Sequence, residues 1–289
     1  MIYKNARDWQ AAQDKRVLLF GMSGLGKTHI SNLLRAEHSW FHYSVDYRIG
    51  TRYMGEHIAD NFKSLAMKVP LLRELLMTDS VHITSNITFN NLAPLSTYLG
   101  KPGDPARGGI PFDEYQRRQS QHRQAEIAAL LDTPHFIHRA AALYGYPNFV
   151  CDSGGSICEV INTDDPADPV LNCLKDNLLL VWIKGSDSHR DELIRRFERS
   201  PKPMYYQPEF LVTLWQEYLG QMGQSEEEVD PDAFLRFGYA RLLEHRQPRY
   251  AAIARHGLTL LAEDVAAIKS AADFEALIAR ALEQGPKTA

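Results

Sequence analysis

Gly21-Met22-Ser23-Gly24-Leu25-Gly26-Lys27-Thr28 follows the apolar run Val17-Leu18-Leu19-Phe20 and leads into Ile30-Ser31-Asn32-Leu33-Leu34. The spacing predicts a strand, a glycine loop and a helix in succession, the context in which this loop binds phosphate. Glycines let the backbone adopt conformations closed to other residues and approach a polyphosphate, whose charge meets loop N–H groups and the positive end of the helix. Gly21, Ser23, Gly24, Leu25, Gly26, Lys27, Thr28 and His29 are therefore the expected nucleotide contacts. In such a loop Lys27 serves the β- and γ-phosphates and the Thr28 hydroxyl is a ligand for Mg²⁺, so ATP and Mg²⁺ are the expected cofactors.

Working outward, the chain alternates. Residues 16–20 read as a first strand, 27–37 as the helix after the loop, and Trp40 to Asp46 as a second strand ending on a carboxylate. Tyr146 to Cys151 form another short strand, closed by Asp152-Ser153-Gly154-Gly155-Ser156. Leu178 to Ile183 is continuously apolar, as a parallel strand buried on both faces requires. Leu258-Thr259-Leu260-Leu261 is the expected last strand, and Phe274, Leu277, Ile278, Ala281 and Leu282 recur at helical spacing after it. Such alternation implies a parallel sheet with helices on both faces. The expected fold is thus α/β, a P-loop NTPase three-layer fold with a central, mostly parallel sheet.

The alternation breaks between residues 63 and 113. Leu71 to Met77 read as helix and Val81-His82-Ile83-Thr84 as a short strand, while Gly100 to Gly109 is so rich in Gly and Pro that it reads as a mobile loop. The expected organisation is a first half of the core over 1–62, an inserted cap over 63–113, and a second half over 114–289. Such an insertion either shapes an acceptor pocket or is a structural elaboration or oligomer contact; oligomeric state is left open.

Composition bounds the partners. The 289 residues are 44% hydrophobic and 24% charged, with a formal net charge of -4, which gives no electrostatic reason to expect nucleic acid or an anionic membrane. The N-terminus lacks a signal-peptide core and no run is long enough to span a bilayer, so the expected location is cytoplasmic. Cys151, Cys158 and Cys173 form neither a C-x-x-C pair nor an even set, against both a zinc site and a disulfide framework. The pairs His135/His138 and His38/His42 have helical spacing but no third ligand accompanies them.

Several segments in order resemble the shikimate kinase branch of the small-molecule and nucleotide kinases. The loop has the G-x-x-G-x-G-K-T form of that group, and Asp46 followed by Gly55-Glu56-His57-Ile58-Ala59-Asp60-Asn61-Phe62 is similar to the family's substrate aspartate and its G-x-x-I-x-x-x-F helix. Glu114-Tyr115-Gln116-Arg117-Arg118 resembles the E-x-F-R segment, with Gln116 in the phenylalanine's place, and Gly154-Gly155 falls at the family's glycine cluster. Arg190, Arg195, Arg196 and Arg199, ending at Pro201, resemble an arginine-bearing lid. Arg246-Gln247-Pro248-Arg249-Tyr250 with Ala254 is similar to R-x-P-x-Y-x-x-x-A.

The resemblance implies catalytic roles for Lys27, Asp46, Arg195 and Arg199, and substrate contacts at Asp46, Arg117, Arg118, Gly154, Gly155 and Arg246. Asp152, closing an apolar strand, reads either as a Walker-B-like acid that joins Thr28 in serving Mg²⁺ or as a turn former. Asp46 reads as an acceptor-directed acid or a helix cap, and Arg246, just before Pro248, as an anion ligand or a cap of helix carbonyls. The family has two acids at the end of its second strand, one residue apart, where this chain offers Ser44-Val45-Asp46 or Asp46-Tyr47-Arg48. The expected activity is a kinase acting on a small hydroxylated acceptor, anionic or neutral. The alternatives are an ATPase or nucleotide-dependent regulatory protein without a small-molecule acceptor, and a degenerate kinase fold.

Overall fold

A computed structural model describes residues 1–284, and they divide into two compact units. The first comprises residues 1–45, 127–201 and everything described from 236 onward; the second comprises 46–126 and 202–235.

Five strands build the first unit: β1 (Arg16–Phe20), β2 (Trp40–Ser44), β3 (Asn148–Asp152), β4 (Leu179–Lys184) and β5 (Leu258–Leu261). They form one sheet in the order β2-β3-β1-β4-β5, and every pairing is parallel. The continuous apolar runs explain why. Val17 to Phe20 and Leu179 to Val181 are fully buried, so these strands have helices over both faces and no side for water. β1 is central, and the chain leaves it for β2 on one side and later returns beside it as β3 and β4. Sheets of this kind present their functional loops at the carboxyl ends of strands where the order reverses. Those ends carry the phosphate loop, the Asp152 turn and the Lys184-Gly185-Ser186 turn.

Two sequence expectations for this unit need adjusting. β2 stops at Ser44, and Val45–Arg48 turns into a short helix, so Asp46 lies past the strand. The helix Pro231–Ala254 runs through Pro248 rather than ending before it. An interior proline removes a helix hydrogen bond and costs about 3 kcal/mol or more. Contacts on either side of it offset that loss: Arg246 pairs with Glu159, Gln247 donates to Met22 Sδ, and the Tyr250 hydroxyl donates to the Gly155 carbonyl.

The second unit is mainly helical, with Gly55–Ala66, Pro70–Met77, Ala93–Leu99, the first part of Phe112–Leu131, and Pro208–Met222. Its core is aromatic. Phe112 stacks on Trp215 with ring centroids 4.6 Å apart, and Phe234 meets the same indole edge-on. Val81 to Thr84 form no strand, because four alternating residues without a neighbouring strand have nowhere to place their backbone hydrogen bonds. The Gly- and Pro-rich segment is a tightly tied loop rather than a slack one. Ile110 N donates to Lys101 O, Gly109 N to Asp104 O and Asp104 N to Val229 O, while Lys101 pairs with Asp232 and Arg107 with Asp230. Its glycines serve shape: Gly103 has φ +132°, and a Cβ there would sit 2.5 Å from the Val229 carbonyl oxygen. Among the described residues no helix is long and apolar enough to cross a membrane.

Candidate functional site

The phosphate loop leaves β1 and turns directly into the helix Lys27–Ala36. Gly21, Gly24 and Gly26 have φ of +133°, +88° and +94°, a left-handed backbone that other residues adopt only under strain. Gly21 is also sterically obligatory, since a Cβ would lie 2.5 Å from the Ile183 carbonyl oxygen. Gly26 is the helix N-cap and supplies no side-chain cap, so the first-turn N–H groups point outward as an anion cradle. Lys27 is buried and its ammonium donates to the carbonyls of Gly21 and Met22, both at 2.9 Å. Ser23, Thr28 and His29 are exposed around this cradle.

Asp152 closes β3 next to this loop. It is paired in register with Leu19 on β1, two residues before Gly21, and both the N–H and the hydroxyl of Ser153 donate to the Leu19 carbonyl. Its carboxylate is buried and faces His42 Nε2 of β2 at 3.7 Å. A hard carboxylate and a hydroxyl suit Mg²⁺, which takes few protein ligands and keeps waters and substrate phosphates for the rest. Thr28 is exposed in the first turn of the loop helix, and Asp152 is buried at the end of the adjacent strand. Among the described residues no group of three or more His, Cys, Asp or Glu forms a self-sufficient metal cage.

Beyond Asp152 the chain makes the Gly154-Gly155 turn and the short helix Ile157–Val160. A Cβ on Gly155 would meet Ser23 Oγ at 3.0 Å, Ser23 N at 3.4 Å and Arg246 Nη1 at 3.5 Å, so the glycine keeps the loop and the guanidinium around one small space. Arg246 is buried mid-helix, which overturns the capping reading, and its Nε donates to Glu159 Oε1 at 2.8 Å. Glu159 Oε2 faces His245 Nε2 at 3.4 Å. Burial pushes the Glu159 carboxyl up, but His245 and Arg246 outweigh that and hold it below its usual range. Burial likewise works against the Arg246 charge, and Tyr250 and Glu159 reverse it, so the guanidinium stays protonated.

The arginine-bearing helix Asp187–Arg199 begins beside the loop. A Cβ on Gly24 would touch Leu193 Cδ2 at 3.0 Å, and one on Gly185 would touch Leu25 at 3.1 Å. Phe197 anchors its far end by stacking on Tyr239. At about 100° per residue, Arg195 lies roughly 160° from Leu193 and Arg199 roughly 120°, whereas Arg190 lies roughly 60° from it. Arg195 and Arg196 are exposed and both pair with Glu192, at 3.0 and 2.7 Å, and Arg190 pairs with Asp187 and Asp191. Arg199 is exposed at the helix end.

Asp46, Arg117 and Arg118 belong to the second unit. Asp46 is half-buried in the first turn of Val45–Arg48. Arg117 and Arg118 both donate to Glu114 with Nε at 2.7 Å, and Arg118 also donates to Asn61 and to the Tyr98 carbonyl. These bonds, Arg117's foremost, hold the Glu114 carboxyl down at about 2.

The structure thus gathers Lys27, Thr28, Asp152, Gly154, Gly155 and Arg246 around one end of the sheet, and adds Glu159 and His245, which the sequence alone does not single out, and His42, which it offers only as a spacing partner of His38. Glu159 carried a signal of its own: it is the lone charge in Ile157-Cys158-Glu159-Val160-Ile161. A carboxylate in an apolar run requires a partner.

No protein-family model and no curated protein matches the chain. Among solved structures, the chain is similar to the shikimate kinase of Bacteroides thetaiotaomicron, at 15% identity over 92% of this chain and 95% of that one, with a TM-score of 0.39. The α/β P-loop architecture stands on the parallel strand order and the loop geometry.

Proposed function

We propose that this chain is an ATP-dependent phosphotransferase that passes the γ-phosphate to a small hydroxylated acceptor. The observation that carries the reading is the left-handed glycine loop at the carboxyl end of the central strand, with a buried carboxylate closing the adjacent strand. Phosphoryl transfer asks for in-line positioning and charge neutralisation, and needs little covalent help. Lys27 would serve the β- and γ-phosphates from the strand end of the loop. Thr28 and Asp152 would hold Mg²⁺, which neutralises phosphate charge when bound. The Gly26 helix end would take the inner phosphates.

In this reading Asp46 orients or deprotonates the acceptor hydroxyl and Arg117 and Arg118 contact the acceptor, while the Gly154-Gly155 turn borders the phosphate loop. Arg195 acts as a lid arginine only after the helix Asp187–Arg199 turns, since it now faces away from Leu193, and Arg199 after a smaller turn. Arg190 needs less movement.

A second reading, nucleotide hydrolysis without a small acceptor, draws support from one observation. Arg246, which the family resemblance assigns to an acidic acceptor, already has a carboxylate partner in Glu159. ATP consumption measured with and without a metabolite library separates the two. Strong acceptor-dependent turnover supports the kinase; turnover indifferent to every acceptor supports the ATPase.

A further inference from the structure

Buried carboxylates are costly and persist where a charged partner needs them. Glu159 has no exposed side-chain surface, and its two oxygens go to different partners, Oε1 to Arg246 and Oε2 to His245. Holding an arginine at Nε fixes the plane of the guanidinium and so directs the Nη groups. Here Nη1 is delivered to the same place at Gly155 that Ser23 N and Oγ approach. The next residue along, Gln247, donates to Met22 Sδ, so the helix carrying Arg246 is tied to the loop itself.

Which part of a nucleotide this space faces follows from the loop. Its helix end offers the N–H groups that cradle the inner phosphates, while Lys27 reaches the β- and γ-phosphates. The Lys27 ammonium lies on the carbonyls of Gly21 and Met22, at the strand end of the loop and immediately before Ser23. Arg246 therefore converges on the same end as the lysine that addresses the outer phosphates. We propose that Arg246 reads the terminal phosphate of the bound nucleotide, and that Glu159, braced by His245, is the positioning residue that aims it. The proposal rests on the nucleotide-binding reading above. A guanidinium held in this way is a fixed charge, present before any acceptor arrives, and the absence of a side chain at Gly155 lets it lie close to Ser23.

Equilibrium binding of Mg-ADP and of the non-hydrolysable triphosphate Mg-AMP-PNP to the full chain tests this. Arg246→Lys is expected to lose roughly 10-fold or more in AMP-PNP affinity, the worth of a charge-assisted hydrogen bond, with ADP affinity held within about 3-fold. Glu159→Gln, of the same shape, should move the AMP-PNP to ADP ratio in the same direction by a smaller factor. Because a single change leaves one buried charge unpartnered, the double variant Glu159→Gln/Arg246→Gln removes both charges together and should still lose the triphosphate preference. Lys27→Ala is the control that weakens both nucleotides. Equal losses for ADP and AMP-PNP in the Arg246 and Glu159 variants, or an unchanged ratio, would overturn the proposal and return Arg246 to the acceptor. A wild-type chain that binds neither nucleotide is a different result, which removes the nucleotide reading and this proposal with it.

Discussion

Replacing Gly21 by alanine should be the most damaging single-methyl change in the phosphate loop, and its size can be built from two independent terms. The first is conformational: φ is +133°, and holding an L-residue in such a sparsely populated region costs about 1–3 kcal/mol. The second is steric. The new methyl would sit 2.5 Å from the Ile183 carbonyl oxygen and 3.2 Å from Trp182 Cδ1, and the oxygen belongs to β4, whose backbone is fixed by parallel pairing to both β1 and β5. A rigid neighbour cannot give way, so overpacking adds about 1–3 kcal/mol. Together they predict a destabilisation on the order of 2–6 kcal/mol. Gly26→Ala bears the conformational term alone, because its methyl would meet only Val265 Cγ1 at 3.4 Å. Gly24→Ala lies between, since its 3.0 Å contact is the movable end of Leu193. Urea unfolding of the three variants should therefore rank Gly21 well above Gly24, and Gly24 at or above Gly26. A Gly21→Ala protein within about 1 kcal/mol of wild type would refute the argument, for then neither the loop conformation nor its seat on β4 is as described.

Four further outcomes follow. Mg-ATP at about a hundred times its dissociation constant should stabilise the chain by ~2.7 kcal/mol, a rise of about 2–4 °C in Tm per kcal/mol, and Lys27→Ala should abolish most of the shift along with roughly 10²-fold of any turnover. Asp152→Asn should weaken the Mg²⁺ dependence of nucleotide binding while Asp46→Asn leaves it intact; equal effects in a metal titration would cancel the division of labour between them. The Glu114 carboxyl is held down at about 2, so its stabilising contribution is present above the ordinary carboxylate range and is lost as pH falls through about 2. Because the cluster is partly exposed, Glu114→Gln should cost at most about 1 kcal/mol near neutrality and nothing at the acid limit, and a cost independent of pH in acid titration would contradict the ion-pair origin. Replacing residues 100–109 with a Gly-Ser linker should destabilise the chain by on the order of 1–3 kcal/mol, because it cuts the backbone bond to Val229 and the ion pairs to Asp230 and Asp232; an unchanged Tm would restore the view of this segment as slack.

What could be read from the chain beforehand was what short-range pattern controls. β1 is found at the predicted residues 16–20, and the phosphate-loop helix runs over Lys27–Ala36, because an apolar run, a glycine loop and an amphipathic helix each announce themselves within a few residues. Pro248 misled because its local preference is real and is overridden by bonds to residues about ninety positions away, Arg246 to Glu159 and Tyr250 to Gly155. Gly103 misled in the opposite sense: the same composition that marks a slack linker also marks a close backbone approach, and only the partner Val229 distinguishes them. Glu159 lay in plain view as an isolated charge, yet its partner on a distant helix could not be paired with it from sequence spacing.

The interleaving of the two units bears on how the chain comes to be folded at all. Leu18 at the centre of the sheet pairs with Cys151 on one side and Leu180 on the other, so its neighbours arrive about 130 and 160 residues later. A chain emerging from the ribosome would thus carry Val17 to Phe20, four consecutive apolar residues, with no strand to pair with until β3 and then β4 have been synthesised. The segment 46–126 must wait similarly for 202–235. Closing loops of this length comes before the pairing that rewards it, which sets the folding of this protein among the slow, non-local kind. The nascent chain thus keeps an apolar strand unpaired for the whole of that interval, and it is then that aggregation competes with folding.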